Sequence, residues 1–87
     1  MDKKGGAKML VMDETTERMF KNKLKVFREE KSMTQFQLGE ETGLSAVEIF
    51  DFETGNKLPS MRQLFKLCNA LQVTPNDLFG MESDFYA

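Results

Sequence analysis

Apolar side chains recur along this 87-residue chain at the three- and four-residue spacing of amphipathic helices. Phe20, Leu24 and Phe27 form one such stripe, and lysines and glutamates occupy the other faces of the same segment. A second stripe, nearer the C-terminus, consists of Leu64, Leu67, Cys68 and Leu71. Outside a short apolar run at residues 9–12, almost nothing in the sequence favours a strand. The pattern therefore predicts an all-α protein.

Four segments begin with the side chains that cap helix N-termini. Residues 34–37, 45–48 and 60–63 have the capping-box pattern, in which a Ser or Thr hydroxyl accepts a hydrogen bond from a backbone N–H and a Glu or Gln three residues later accepts one from the cap residue. Residues 74–77 are a related form, with Pro at the first helical position and an acid in the first turn. One match is common by chance, but a matched set at the heads of apolar-periodic segments predicts four helix starts.

Glycine and proline mark where the predicted helices end. Gly43 and Gly55 stand where a left-handed C-terminal residue is expected, and Pro59 prevents one helix from continuing into the next. Together with the capping residues, they predict a compact bundle of five helices. The predicted ranges are 15–31, 34–42, 45–54, 60–71 and 75–80.

The length of the chain allows one small domain with two short tails. We expect residues 1–14 to be a flexible basic N-terminal arm, because the opening MDKKGGAK is charged, contains glycine and lacks periodicity. The apolar run at residues 9–12 fits an edge strand, a partner-binding segment or a tail folded onto the body. Residues 15–81 are the predicted domain, and residues 82–87 are a C-terminal tail.

The composition excludes most catalytic and metal chemistry. The chain has no His and a single Cys, so it lacks an imidazole base, a nucleophile paired with His, a thiolate cluster and an internal disulfide. We therefore expect a protein that is not an enzyme and has no catalytic residue, metal or cofactor. No apolar run approaches the roughly 20 residues of a membrane span, and we expect a cytoplasmic protein without membrane contact.

The charges are distributed unevenly around a net charge of −2. Residues 1–31 carry more basic than acidic side chains, whereas residues 32–55 contain neither Lys nor Arg. The acids of this second segment are Glu40, Glu41, Glu48, Asp51 and Glu53. An acidic segment of this kind opposes the attraction to phosphates that supplies most nucleic-acid affinity.

The second and third predicted helices are separated by a very short connection, Gly43 and Leu44. Such a connection makes two helices cross steeply, which predicts a helix-turn-helix unit over residues 34–54. The third helix is then left with an exposed face toward its N-terminus. In a unit of this kind, that face can enter the major groove of DNA.

The chain resembles the Cro/lambda-repressor-like (XRE-type) helix-turn-helix DNA-binding family over residues 24–79, which run LKVFREEKSMTQFQLGEETGLS, then AVEIFDFETGNKLPS, then MRQLFKLCNALQVTPNDLF. The resemblance implies a compact five-helix bundle of the lambda-repressor-like type. It also implies a sequence-specific, repressor-like transcriptional regulator that binds double-stranded DNA as a homodimer, with the helix over 45–54 in the major groove. Candidate dimer contacts are the fifth helix, the run at 9–12, and Phe85 and Tyr86 in the tail.

The resemblance places Ala46, Val47 and Asp51 where the family has its base-contacting side chains. Ala46 and Val47 can meet a thymine methyl group, and Glu48 or Asp51 can accept a hydrogen bond from cytosine N4. These four residues are the predicted base-facing set.

A second set of residues is predicted to hold DNA phosphates. Gln35 matches the family position whose side chain and backbone N–H hold a phosphate, and helix N-termini attract anions in general. Lys57 matches a common backbone contact of the family. Ser60 and Arg62, at the head of the fourth helix, are expected to contribute, and Thr34 adds a phosphate contact to its capping role.

The resemblance also implies one structural ion pair, between Arg28 on the first helix and Glu53 on the third. We favour this role for Arg28 over a contact to DNA. A partly buried pair costs more to break than to keep, so we expect it to stabilise the domain.

The residue types at the base-facing positions leave a second function open. None of them can make the bidentate contact to guanine, and Phe36 and Phe50 add apolar bulk where the family more often has polar side chains. Phe36, Val47 and Phe50 would equally suit a protein partner. The alternative is a non-enzymatic protein-interaction module on the same fold, an antirepressor or accessory domain that has lost DNA binding. Neither function implies a small-molecule ligand, because so small a domain has no second core to hold one.

Overall fold

The computed structural model describes residues 14–80, and this part of the chain contains five α-helices and no strand. The helices are α1 (Glu14–Glu30), α2 (Gln35–Thr42), α3 (Ala46–Thr54), α4 (Met61–Leu71) and α5 (Pro75–Phe79). The all-α class and the five predicted helices are therefore confirmed. Glu14, predicted as the end of the arm, is the first residue of α1. The rest of that arm, with its apolar run at 9–12, and the tail at 82–87 lie outside the described residues.

The helices begin where local capping chemistry dictates. Thr34, Ser45, Ser60 and Thr74 each accept a hydrogen bond from the backbone N–H three residues later, and the side chain at that later position accepts one from the cap residue. Each such cap contributes about 0.5–2 kcal/mol. The left-handed glycines that end α2, α3 and α5 are Gly43, Gly55 and Gly80.

The core is formed by one apolar face from each helix. Phe20 and Leu24 of α1 meet Ile49 and Phe52 of α3, which are buried on the inner side of that helix. The remaining core residues are Leu38, Leu64, Leu67, Cys68, Leu71 and Leu78. Helix α2 packs against α3 and α4, while α1 packs against α3 and α5. Since a fully buried side chain of this size contributes about 1.5–3 kcal/mol, Ile49 and Phe52 fix α3 in place and leave its other face outward.

The single cysteine belongs to this core. Cys68 is 4% exposed, and burial raises the pKa of its thiol, with the negative charge of Asp77 adding to the effect. The thiol therefore stays protonated at neutral pH and packs as a small apolar side chain.

The turn after α1 contains a residue in a strained backbone conformation. Ser32 has a φ of 58°, in the left-handed region that costs most residues about 1–2 kcal/mol. We expect Ser32→Gly to raise the free energy of unfolding by about 0.5–1 kcal/mol, because relief of this strain exceeds the entropy cost of glycine. Thermal denaturation followed by circular dichroism measures the change. Ser32→Ala is the matched control, since alanine keeps the strain, and a glycine variant that melts no higher than the alanine variant would contradict the prediction.

Candidate nucleic-acid interface

The helix-turn-helix unit depends on a close approach between α2 and the start of α3. Gly39, in the middle of α2, is buried, and a Cβ atom at this position would lie 3.0 Å from the carbonyl carbon of Ser45 and 3.1 Å from the backbone nitrogen of Ala46. Only a residue without a side chain fits this contact without displacing the backbone of α3. Gly39 was not identified from the sequence, although a glycine within a predicted helix is the signal that marks such a contact.

The turn itself is held by a buried hydroxyl. Thr42 is 6% exposed, and its Oγ1 donates to the carbonyl oxygen of Leu38 at 2.8 Å. The same hydroxyl accepts a hydrogen bond from the backbone N–H of Leu44 at 3.3 Å. The end of α2 is thereby bonded to the turn that leads into α3.

One face of α3 is directed away from the core. Val47 is 68% exposed and Phe50 48% exposed, and Asp51 shares their face because residues three and four positions apart are neighbours on a helix. Ala46 is half-buried in the first turn. The Asp51 carboxylate accepts a hydrogen bond from the amide of Asn56 at 3.3 Å. Of the residues predicted to face bases, Val47 and Asp51 thus lie on the outward face of α3, and Ala46 lies in its first turn.

Glu48, the fourth residue of this set, also lies in the first turn of α3, but its carboxylate is engaged within the domain. Its Oε1 accepts a hydrogen bond from the backbone N–H of Ser45 at 3.1 Å, which completes the capping box of α3. Its Oε2 is 3.5 Å from the side-chain nitrogen of Gln63 on α4. The carboxylate therefore serves the N-terminus of α3 and the contact with α4.

The residues predicted to hold phosphates lie around the N-termini of α2 and α4. Thr34 and Ser60 are exposed caps whose hydroxyls accept from backbone N–H groups at 3.0 and 3.1 Å. Lys57 and Arg62 are exposed, and the backbone N–H of Lys57 donates to the carbonyl oxygen of Asp51 at 3.3 Å. Helix N-termini attract anions through their N–H groups and their dipole, so these positions suit phosphate oxygens.

The side chain of Gln35, the first residue of α2, is directed toward α3. It is half-buried, and its side-chain nitrogen donates to Oε1 of Glu53 at 3.1 Å. The side chain connects the head of α2 to the end of α3, while the backbone N–H remains at the helix N-terminus.

Arg28 and Glu53 form a bidentate ion pair between α1 and α3. The Arg28 Nε donates to Oε2 at 2.6 Å and a terminal nitrogen donates to Oε1 at 3.1 Å, with the side chains 10% and 3% exposed. The other terminal nitrogen donates to the carbonyl oxygen of Met33 at 2.6 Å. The hydrogen bond to Glu53 raises the pKa of Arg28, burial opposes the rise, and the charges of Glu53 and Glu29 add to it. The guanidinium is therefore permanently charged, and this pair is the one that the family resemblance implies.

The described part of the chain offers no group of three His, Cys, Asp or Glu side chains that could hold a metal ion. Among the helices of residues 14–80, none is both long and apolar enough to cross a membrane.

Comparison with known proteins identifies the family to which this architecture belongs. Residues 23–84 match the family model described as a Cro/C1-type HTH DNA-binding domain. The chain is 31% identical over 64 residues to YgzD of Bacillus subtilis, and 36% identical over 64 residues to MJ0272 of Methanocaldococcus jannaschii, both named as uncharacterized HTH-type transcriptional regulators. Each alignment covers 74% of this chain and 97% of the relative.

Two repressors are also similar to this chain. The CTXphi transcriptional repressor RstR of Vibrio cholerae is 33% identical over 60 residues, which are 69% of this chain and 54% of RstR. The P22 c2 repressor, solved in complex with a synthetic operator, superimposes with a TM-score of 0.69 at 27% identity and covers 72% of this chain and 96% of that one. The helix-turn-helix geometry and these similarities show that the chain belongs to the Cro/C1-type helix-turn-helix DNA-binding family and is a DNA-binding transcriptional regulator.

Proposed function

We propose that this protein represses transcription by binding double-stranded operator DNA with α3 in the major groove. The observation that carries the proposal is the position of α3, whose inner face is anchored in the core by Ile49 and Phe52 while Val47 and Phe50 project outward. The repressors among the similar proteins support this assignment, and one of them was solved in complex with a synthetic operator. A bound operator would exclude other proteins from the same stretch of DNA.

The proposed base contacts come from the first turn and the outward face of α3. Val47 and Asp51 are the central pair, with Ala46 beside them in the first turn. Glu48 lies at the edge of this set, because its carboxylate is bonded to the backbone of Ser45. An aspartate accepts from cytosine N4, and alanine and valine pack against thymine methyl groups.

The proposed phosphate contacts flank α3 on both sides. Thr34 and Gln35 present the N-terminus of α2 to one phosphate, and Ser60 presents the N-terminus of α4 to another. Lys57 and Arg62 add the positive charges that the HTH segment itself lacks. Contacts of this kind set the position of the protein on the duplex, whereas α3 supplies the sequence preference.

We propose further that two copies bind one operator. A single small module buries too little surface for tight specific binding, and dimers of this type place their recognition helices in half-sites about 34 Å apart. Such a regulator acts in the cytoplasm, together with the DNA.

A second candidate function uses the same surface. Phe36 is 61% exposed, Val47 68% and Phe50 48%, and the surrounding segment is acidic. A protein partner that covered these side chains would occupy the DNA-binding face, so partner and operator would compete for it.

The proposed function predicts that the affinity for DNA falls as the salt concentration rises, and that Lys57 accounts for part of this fall. Fluorescence anisotropy with a random-sequence duplex is expected to show affinity at ~50 mM salt that falls steeply at ~200 mM, because bound phosphates release counterions. Lys57→Ala is expected to lower affinity and to reduce the slope of log K against log salt by about 1. Lys25→Ala, at another exposed lysine, is the matched control and is expected to leave the slope unchanged. Absence of binding at the lower salt would refute the proposed function.

A further inference from the structure

Helix α5 ends directly against α1. The ring centroids of Phe79 and Phe20 lie 5.4 Å apart. Gly80 follows with a left-handed φ of 68°, and it lies so close to Met19 that a Cβ atom placed on it would collide with the terminal methyl group of that side chain. The segment at residues 81–87 therefore begins beside Met19 of α1.

Met19 is also the first residue of a strip on α1 that is partly apolar and partly basic. Lys23 and Val26 follow at spacings of four and three residues, which places the three side chains on one face of the helix. Met19 and Lys23 are half-buried, whereas Val26 is 45% exposed. Among the described residues of α1, Val26 is the only large apolar side chain that is exposed. We call these three residues the α1 strip.

The composition of the segment at residues 81–87 is complementary to the α1 strip. The segment reads MESDFYA, and its two acids are followed by two aromatic side chains. Within the part of the chain that the structure describes, Lys23 has no carboxylate partner. The acids of the segment can therefore supply a partner for Lys23, and an aromatic ring can cover Val26.

The distances along α1 allow both contacts. Because a helix rises 1.5 Å per residue, Lys23 and Val26 lie about 6 and 10 Å from the start of the strip. An extended chain spans up to roughly 3.5 Å per residue, so Glu82 reaches ~7 Å and Phe85 ~17 Å from the end of the described chain. The acids thus come within reach of Lys23, and the aromatic residues come within reach of Val26.

We propose that residues 81–87 dock on the α1 strip of the same chain, with Phe85 against Val26 and an acid of the segment paired with Lys23. A second copy of the chain carries the same segment, but the short tether favours the segment of the same chain. The tether gives an effective concentration on the order of millimolar, about a thousandfold above that of a second copy at ~1 µM. The aromatic residues of the segment then belong to their own domain rather than to a dimer interface.

The α1 strip lies on the side of α1 that faces away from α3. Lys21 lies against Gly55 at the end of α3, and residues two positions apart, such as Met19 and Lys21, point to nearly opposite sides of a helix. Docking therefore holds the acids of the segment away from the surface proposed to meet DNA, where they would oppose the attraction to phosphates. The docking itself does not depend on the proposed function, and its tests need no DNA.

Tyr86 provides a direct probe of docking, because it is the only tyrosine of a chain without tryptophan. Quenching of its fluorescence by acrylamide is compared between the full 87-residue chain and a synthetic peptide of residues 81–87, which defines the undocked limit. We expect the chain to be less quenched than the peptide. The difference is expected to be the same from ~1 to ~100 µM protein, because this range lies below the effective concentration of the tether.

Replacement of Val26 tests the apolar part of the strip. Val26→Ser is expected to lower the docking equilibrium constant at least roughly fourfold, the factor that corresponds to one buried CH₂ group, and so to move the quenching toward that of the peptide. Val47→Ser, at a 68% exposed valine on α3, is the matched control and is expected to leave the quenching unchanged. Circular dichroism checks that each variant is folded.

Charge reversal tests the basic part of the strip. Lys23→Glu is expected to lower the docking constant by up to about fivefold, as for an exposed ion pair. Lys25→Glu, at an exposed lysine on another face of α1, is the matched control. Lys23→Glu combined with Glu82→Lys and Asp84→Lys is expected to restore the protection from acrylamide, because the charges are again opposite.

Three results would contradict the docking. Quenching of the full chain equal to that of the peptide would show that the segment does not dock. Protection that grows with protein concentration would show that the segment binds a second copy instead of its own chain. Protection that survives both Val26→Ser and Lys23→Glu would exclude the α1 strip as the site.

Discussion

Replacement of Arg28 by methionine is expected to lower the free energy of unfolding by about 3–5 kcal/mol, a large part of what a small domain possesses. The reason is the carboxylate left behind. The Glu53 side chain is 3% exposed, and without Arg28 it loses its counter-ion while the Gln35 amide stays 3.1 Å from it. The carbonyl oxygen of Met33 also loses the donor that lies 2.6 Å away.

Urea denaturation followed by circular dichroism measures this loss, and a double variant identifies its cause. Arg28→Met combined with Glu53→Leu is expected to be clearly more stable than Arg28→Met alone, because no buried charge remains. Arg62→Met, at an exposed arginine, is the matched control and should change stability by less than about 0.5 kcal/mol. A single variant within 1 kcal/mol of the wild type, or a double variant as unstable as the single one, would contradict this account of the pair.

The same ion pair helps to position the helices that are proposed to meet DNA. Glu53 lies near the C-terminus of α3 and also accepts a hydrogen bond from Gln35 at the head of α2. The position of α3 relative to the N-terminus of α2, which is proposed to hold a phosphate, therefore depends on Glu53. Arg28 thus adds to the anchoring that Ile49 and Phe52 provide from the core. An orienting contact of this kind stabilises the fold and aligns the two helices that are proposed to meet DNA.

The helices of this domain were predictable because the information that defines them is local. The hydroxyls of Thr34, Ser45 and Ser60 find their partners three residues away, so the sequence carries both halves of each cap. Apolar periodicity was equally informative for the core, although Phe27 of the first predicted stripe packs only at its edge.

Contacts between residues that are far apart in the sequence were less predictable. The capping role of Glu48 follows from its spacing to Ser45, but its contact with Gln63 depends on how α3 and α4 pack. Likewise, the position of Gln35 at the head of α2 was predictable from the sequence, but its hydrogen bond to Glu53 joins residues 18 positions apart. The exposure of Met61 and Phe65, at 68% and 51%, also depends on which face of α4 the core selects.

Replacement of Gly39 by valine is expected to reduce both stability and DNA binding. A Cβ atom at this position already lies 3.0 Å from the carbonyl carbon of Ser45, and the two γ-carbons of valine extend the clash into the backbone at the start of α3. Overpacking of this kind costs about 1–3 kcal/mol, and we expect the upper end because the crowded atoms belong to the backbone. Since α3 has to move outward, the molecules that remain folded are expected to bind DNA at least tenfold more weakly, which corresponds to about 1.4 kcal/mol.

Gly43→Ala separates this steric effect from a general loss of stability. Gly43 has a φ of 75°, but nothing lies within 4 Å of a Cβ atom placed there. Alanine at this position therefore costs about 1 kcal/mol through backbone strain alone, without pushing α3 aside. Urea denaturation gives the stability of each variant, and anisotropy under conditions in which both are folded gives the affinity. Gly43→Ala is expected to keep wild-type affinity, whereas a Gly39→Val protein that also keeps it would show that the close approach of α2 does not determine the position of α3.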